Sequence, residues 1–229
     1  MKEVNGILVV DKPSGWTSYD VVKKIKNLLG VSKVGHIGTL DPYATGVLVL
    51  LIGKATKSAK LFEHDKKKYL AEMTFGRATD TYDSTGKTTA IGDPYMVDMD
   101  KLKTIIRRFE GDSEQVPPMF SAIKIGGKKL YQLARAGKTI SRNPRKITIT
   151  MIESDLSDYP RITLNIECSK GTYIRSIAQQ IGEMIGCPSH LSALRRTASG
   201  RFNITDSVDF LSLVESDHPD DIEHYVKPV

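Results

Sequence analysis

The chain of 229 residues is 40% hydrophobic and 26% charged, an ordinary globular balance that excludes a disordered, collagen-like or coiled-coil protein. Its longest apolar run, GVLVLLIG, is far too short to span a bilayer, and MKEVNGILVVDKPSG places an acid early and a turn after a short apolar run, unlike a signal peptide. The net charge is +6, but from Asn203 onward seven acids face one lysine, which leaves +12 on the first 202 residues. A cytoplasmic protein without membrane association is expected. Cys168 and Cys187 have no metal-type spacing and read as reduced, partly buried thiols.

In chain order, Ile7 to Val10 is a short β-rich run, and Lys12, Pro13, Ser14 and Gly15 supply a turn. Thr17 with Asp20 three residues on resembles a capping box. Val21, Val22, Ile25, Leu28 and Leu29 then share one helical face, and Gly30 suits its C-terminal end. Residues 45–52 and 68–75 are predicted strands. From Gly76 to Asp93, GRATDTYDSTGKTTAIGD is rich in turn residues and is expected to be loop. Leu102, Ile105, Ile106 and Phe109 mark a second amphipathic helix, closed by Gly111.

Further on, KITITMIES and RITLNIECS alternate with the period of two that half-buried strands show. KGTYIRSIAQQIGEMIG turns at Gly171 and enters a helix whose apolar stripe is Ile174, Ile177, Ala178, Ile181 and Ile185. Strands and helices interleave without a regular βαβ repeat. The expected class is therefore α+β, with a central mixed or mostly antiparallel sheet flanked by helices. No internal repeat or linker divides the chain, so a single domain over 1–229 is expected.

The segment from Gln115 to Ile152 contains no acid. It holds Lys124, Lys128, Lys129, Arg135, Lys138, Arg142, Arg145 and Lys146, with Phe120 and Tyr131 among them. Such a run is the electrostatic footprint of a polyanion site or a solvated, lysine-rich face, and nucleic acid is the leading partner class.

The familiar catalytic signatures are missing: no P-loop, no dinucleotide-binding glycine motif, no HExxH, no paired CxxC and no serine elbow. The five histidines are scattered. Asp41 becomes the main candidate. It lies in GHIGTLDPYATGVLVLLIG, residues 35–53, ahead of an apolar run. Pro42 biases it to extended backbone, and Gly35, Gly38 and Gly46 permit unusual dihedrals and close approach of a ligand. A carboxylate so placed could be a nucleophile or general base; an Asp-Pro turn or helix start is the commoner local explanation.

The wider string GHIGTLDPYATGVL resembles the catalytic motif of the TruB family of tRNA pseudouridine synthases, G-H-x-G-x-L-D-P-x-A-T-G. The resemblance continues in the family's order with DKPSGWTSYDVV at 11–22, KKYLAEMTFGRATDTYDSTG at 67–86 and VPPMFSAIKIGGKKLYQLARAG at 116–137. KGTYIRSIAQQIG at 170–182 and HLSALRRTASGRF at 190–202 complete it. It implies the pseudouridine synthase fold with a basic RNA-binding insertion at 115–152.

By the same resemblance Asp41 is the essential aspartate of a reaction that cleaves C1′–N1 of a uridine, turns the base and rejoins it through C5. Glycoside hydrolases generally use two carboxylates. Here uracil is a better leaving group and stays bound, so one suffices; attack on C1′ and removal of a sugar proton both stay open. Tyr69 matches the aromatic that stacks on the extracted base, and Arg175 the arginine that pairs with the aspartate. His36 matches the histidine used at the RNA loop from which the target is flipped. Lys12, with Pro13, matches a motif supporting the active-site loop. Leu194 resembles an apolar contact to the flipped base, with Arg195 and Arg196 facing phosphates. Lys124, Lys128, Lys129 and Arg135 would neutralise phosphates in a salt-dependent way.

The resemblance implies uridine 55 in the T loop of tRNA as target; the missing signatures lead to the expectation of no cofactor and no metal, and a monomer is expected. The chain departs from the family at its end, where an acidic tail at 203–229 closes the catalytic domain and the RNA-binding PUA domain common in bacterial members is not expected. Two alternatives are the same chemistry on another RNA and a non-catalytic RNA-binding or RNA-folding protein.

Overall fold

The computed structural model describes residues 3–216 and 219–229; Asp217, within the acidic tail, lies outside them. The first strand, β1 (Gly6–Lys12), leads through a turn into α1 (Ser18–Leu28). Thr17 and Asp20 form the expected reciprocal capping box, and Val21, Val22 and Ile25 make the buried face of the helix. After Gly30, at φ 62°, come β2 (Val34–Ile37) and β3 (Thr45–Ile52). A 3-10 stretch then precedes β4 (Lys67–Phe75).

The segment expected as loop between Gly76 and Asp93 holds a hairpin of β5 (Arg77–Thr79) and β6 (Thr88–Ile91). Its strands are too short, and β6 too exposed, to show the alternation that marks a half-buried strand. Next come α2 (Met99–Arg107), capped by Asp98, and β7 (Gly111–Gln115). The basic segment forms a small hairpin, β8 (Lys124–Ile125) and β9 (Lys128–Lys129), and the short helix α3 (Leu130–Arg135). Then follow β10 (Arg145–Asp155), β11 (Arg161–Cys168), α4 (Ile174–Ile185) and β12 (Ser189–Ser199). The described chain closes with β13 (Phe202–Asn203), β14 (Val208–Asp209), α5 (Phe210–Ser216) and α6 (Pro219–His224).

Two compact units emerge, one from residues 1–70 and 194–229 and the other from 71–193. The chain passes between them within β4 and within β12. In the first unit the strand order is β14-β1-β3-β12, with β2 added to β3 and β13 to β12. The pairing is mixed: β1 is antiparallel to β3 and parallel to β14, and β12 runs parallel to β3. In the second unit the order is β4-β11-β10-β7, and β10 is antiparallel to both its neighbours. The mixed α+β architecture agrees with the interleaved pattern of the sequence.

The apolar continuity of β3 has a simple cause. From Gly46 to Ile52 every residue is buried, as in a strand covered on both faces. On one face Val47, Val49 and Leu51 pack with Ile7, Val9, Ile37 and Phe62. Cys168 and Cys187 are free, as expected, and fully rather than partly buried. Among the described residues no helix is long and apolar enough to cross a membrane.

Candidate functional site

In the first unit, residues 38–44 link β2 to β3, and Asp41 sits partly exposed at the middle of this loop. Both neighbours of Asp41 are held. The Leu40 amide donates to Ser18 Oγ at 2.9 Å, and Ser18 Oγ donates back to the Leu40 carbonyl at 3.1 Å. On the other side, the Pro42 carbonyl accepts from the Gly15 amide at 2.9 Å and from Lys12 Nζ at 3.2 Å. The Asp41 carbonyl itself accepts from the Ala44 amide at 3.1 Å. The turn of residues 13–16 and the start of α1 thus form a cradle for the loop.

Lys12 is 0% exposed. Burial lowers its pKa to about 8, while the Asp41 carboxylate pulls the other way and Arg196 adds to the lowering. Lys12, Asp41 and Arg196 are therefore electrostatic neighbours. His36, at the end of the glycine-rich approach, is half-buried, and its Nε2 lies 3.2 Å from Thr39 Oγ1. Burial first, and Arg196 second, push its pKa below the ordinary 6.5, which favours the neutral imidazole.

Arg196 points inward, unlike the phosphate-facing placement expected from the sequence. It is 1% exposed; its Nε donates to the Val47 carbonyl at 2.7 Å and Nη2 to the Gly38 carbonyl at 2.9 Å. These bonds tie the two ends of the Asp41 loop together, and a buried guanidinium needs such acceptors. Gly46 makes the approach possible: at φ +100°, a Cβ there would lie 2.2 Å from the Arg196 carbonyl oxygen. Arg195, partly exposed, grips Asp11 through both nitrogens at 3.1 and 2.5 Å, so its charge is already countered. Leu194 is 8% exposed, and Tyr69 is half-buried on β4.

In the second unit, Arg175 stands in the first turn of α4 and is 3% exposed. This excludes the surface arginine that its position beside a helix N-terminus would otherwise suggest. Its Nη1 donates to the Thr81 carbonyl and Nη2 to the Phe120 carbonyl, both at 2.9 Å. Its Nε lies 3.7 Å from Asp83 Oδ2. Asp83 was not singled out in the sequence, although it is 4% exposed. Its Oδ1 accepts from Thr81 Oγ1 at 2.7 Å, from the Thr85 amide at 2.9 Å and from Thr85 Oγ1 at 2.6 Å. The signal lay in TDTYDST, where hydroxyl residues two positions either side of Asp83 can close on its carboxylate. The start of α4 is further fixed by Gln115, which donates to the Tyr173 carbonyl at 3.1 Å and accepts from the Tyr173 amide at 2.8 Å.

Several bases of the insertion are presented outward. Lys124 pairs with Lys129, and Ile125 with Lys128, across the β8–β9 hairpin. Lys124, Lys128 and Arg135 are exposed. Lys129 Nζ and the Arg135 guanidinium each lie 5.5 Å from the centroid of the Tyr131 ring. The ring holds two cations that would otherwise repel and sway apart.

A family model described as TruB family pseudouridylate synthase (N terminal domain) matches residues 26–174. A second, described as tRNA pseudouridylate synthase B C-terminal domain, matches residues 175–229. The tRNA pseudouridine synthase B of Syntrophotalea carbinolica is 45% identical over 218 residues, 95% of this chain and 71% of that one. The same-named protein of Chlamydia trachomatis serovar L2 is 45% identical over 209 residues, 91% of this chain and 86% of that one. Among solved structures, a chain of a Cbf5-Nop10-Gar1 complex superposes with TM-score 0.74 at 30% identity, over 97% of this chain. The chain spans 60% of the length of that solved chain.

Proposed function

The chain belongs to the TruB family of pseudouridylate synthases, isomerases of uridine in RNA, and we propose that it converts the T-loop uridine at position 55 of tRNA with Asp41 as the catalytic carboxylate. The observation that carries the residue assignment is the clamp on Leu40 and Pro42, which fixes the backbone on either side of Asp41. A solvated turn aspartate needs no such support. A carboxylate that must meet one sugar in one geometry does, because misplacement by about 1 Å can cost about 100-fold in rate.

The chemistry is an internal exchange. The C1′–N1 bond breaks, the uracil turns while still bound, and C1′ bonds to C5; C5 then loses its proton and N1 ends protonated. Attack on C1′ and abstraction of a sugar proton to give a glycal each need one carboxylate at the sugar. Tyr69 is proposed, from the resemblance, as the ring that stacks on the extracted base, and Arg175 as the guanidinium serving the carboxylate. A neutral His36 can enter the RNA loop without a charge to desolvate. Leu194 is the apolar contact to the flipped base. Lys124, Lys128, Lys129 and Arg135 would meet phosphates of the T arm. The protein is proposed to act as a cytoplasmic monomer without a cofactor.

A base-resolution pseudouridine map of unmodified tRNA treated with the purified protein tests the site. The expected result is conversion at position 55. Conversion elsewhere, or none, would contradict the proposal.

A further inference from the structure

A cavity of about 340 Å³ lies within the acid-free segment of the second unit. Pro117, Ile123, Ile125 and Leu130 form apolar walls, and Arg142 and Arg145 supply positive charge. No lining residue is acidic. The Nε of Arg142 is buried and has no hydrogen-bond partner among the described residues. Buried donors are nearly always satisfied, and a guanidinium N–H without an acceptor is unfavourable. The contrast with Arg175 is direct, since that buried guanidinium meets two carbonyls and Asp83. Apolar walls beside two guanidinium side chains, with no acid in the lining, make a site for a flat ring that carries an anion.

We propose that this cavity is a nucleotide subsite, in which an unpaired RNA base packs on Ile123, Ile125 and Leu130 while its phosphodiester is held by Arg142 and Arg145. The volume is near the lower end of the about 300–1,000 Å³ typical of small-molecule sites, so it suits one nucleotide and not a duplex. Unpaired bases are recognised by packing against side-chain surfaces, and the planar guanidinium fork matches two phosphate oxygens. The subsite rests on the reading of the protein as an RNA-modifying enzyme. It adds a second point of nucleotide recognition, outside the loop that carries Asp41.

The test is a titration of the full chain, methyl-labelled at isoleucine and leucine, with uridine 5′-monophosphate and separately with inorganic phosphate. The nucleotide should shift the Ile123, Ile125 and Leu130 methyls saturably, and phosphate should bind at least about 10-fold more weakly, because it lacks the base. Arg142→Gln should weaken nucleotide binding at least about 10-fold, with Arg142→Lys between the two. The same Arg142→Gln should weaken a T-arm stem-loop about 10-fold, against less than about 2-fold for Lys103→Gln, an exposed charge on α2.

Unshifted methyls, equal binding of phosphate and nucleotide, or wild-type affinity in Arg142→Gln would each overturn the subsite. The titration of the unaltered protein decides the matter even if Arg142→Gln fails to fold. Wild type that forms pseudouridine but leaves these methyls unshifted removes the subsite alone. Wild type that binds the nucleotide here but modifies no tRNA removes the enzymatic reading instead.

Discussion

Lys12 Nζ donates to the Pro42 carbonyl at 3.2 Å, so a fully buried ammonium grips the peptide unit that follows Asp41. The same nitrogen donates to the Pro13 and Trp16 carbonyls at 2.7 Å each. Three acceptors use all three N–H bonds of the ammonium; a neutral amine has only two. Burial, which disfavours the charge, is opposed by Asp41 nearby. The protonated state of Lys12 and the position of the Asp41 loop are thus one property.

A pH dependence follows from this. Because the Lys12 pKa is about 8, turnover should fall as pH rises through that value, when one donor and the charge beside Asp41 are lost. Lys12→Met should remove this limb and lower the rate at neutral pH by about 10- to 100-fold. Stability should run the opposite way. The folded pKa lies below the ordinary 10.5, so between about 8 and 10.5 the unfolded chain binds more protons and this group's contribution to folding improves. Single-turnover rates and denaturant unfolding across that window, in wild type and variant, check both signs.

The approach of Arg196 to β3 gives a second prediction. Gly46→Ala places a methyl 2.2 Å from the Arg196 carbonyl oxygen at a backbone angle that favours glycine, and should destabilise by about 4 kcal/mol. Gly15→Ala shares a positive φ, at +87°, but meets nothing within 4 Å, and should cost only about 1 kcal/mol. Urea denaturation of the two variants separates crowding from backbone strain.

What the sequence revealed and what it hid divide by range. Local rules read α1 well, because Thr17, Asp20 and the stripe through Ile25 each act within a turn or two. The alternation of Ile147, Ile149, Ile162, Leu164 and Ile166 likewise exposed β10 and β11. By contrast β7, with the residues GDSEQ, is mostly exposed and carries no apolar pattern. Asp41 was visible only through its motif, and its clamp was not visible at all, since Ser18 and Leu40 are 22 residues apart. The resemblance alone set Arg196 against a phosphate, as part of LSALRR. Only the backbone carbonyls of Val47 and Gly38, brought to it by folding, turn it inward.

The Arg175–Asp83 pair, each about 5% exposed or less, should behave as a buried ion pair. Asp83→Asn removes one carboxylate from beside the guanidinium and keeps its bonds to the two carbonyls. A loss of about 3 kcal/mol is expected, the low end for breaking a buried pair. A double-mutant cycle with Arg175→Gln, read by denaturant unfolding, should show coupling of more than about 1 kcal/mol between the two.

The outward bases of the insertion should act through charge alone. Replacing Lys124 and Lys128 by Gln together should weaken T-arm RNA binding and reduce the slope of log affinity against log salt by about 1.4 to 1.8, if each meets one phosphate. Filter binding between low and moderate salt gives the slope. The single-turnover rate at saturating RNA should stay near that of wild type.

The most direct test of the account is the single-turnover rate of pseudouridine formation at position 55 by Asp41→Asn, measured beside its affinity for the same tRNA. The amide keeps the shape of the side chain and of the clamped loop but removes the reactive carboxylate. The account predicts a rate lower by at least about 10,000-fold with binding within about threefold of wild type. A rate within about tenfold of wild type would show that Asp41 is the supported turn residue it first resembled, and that the chemistry lies elsewhere.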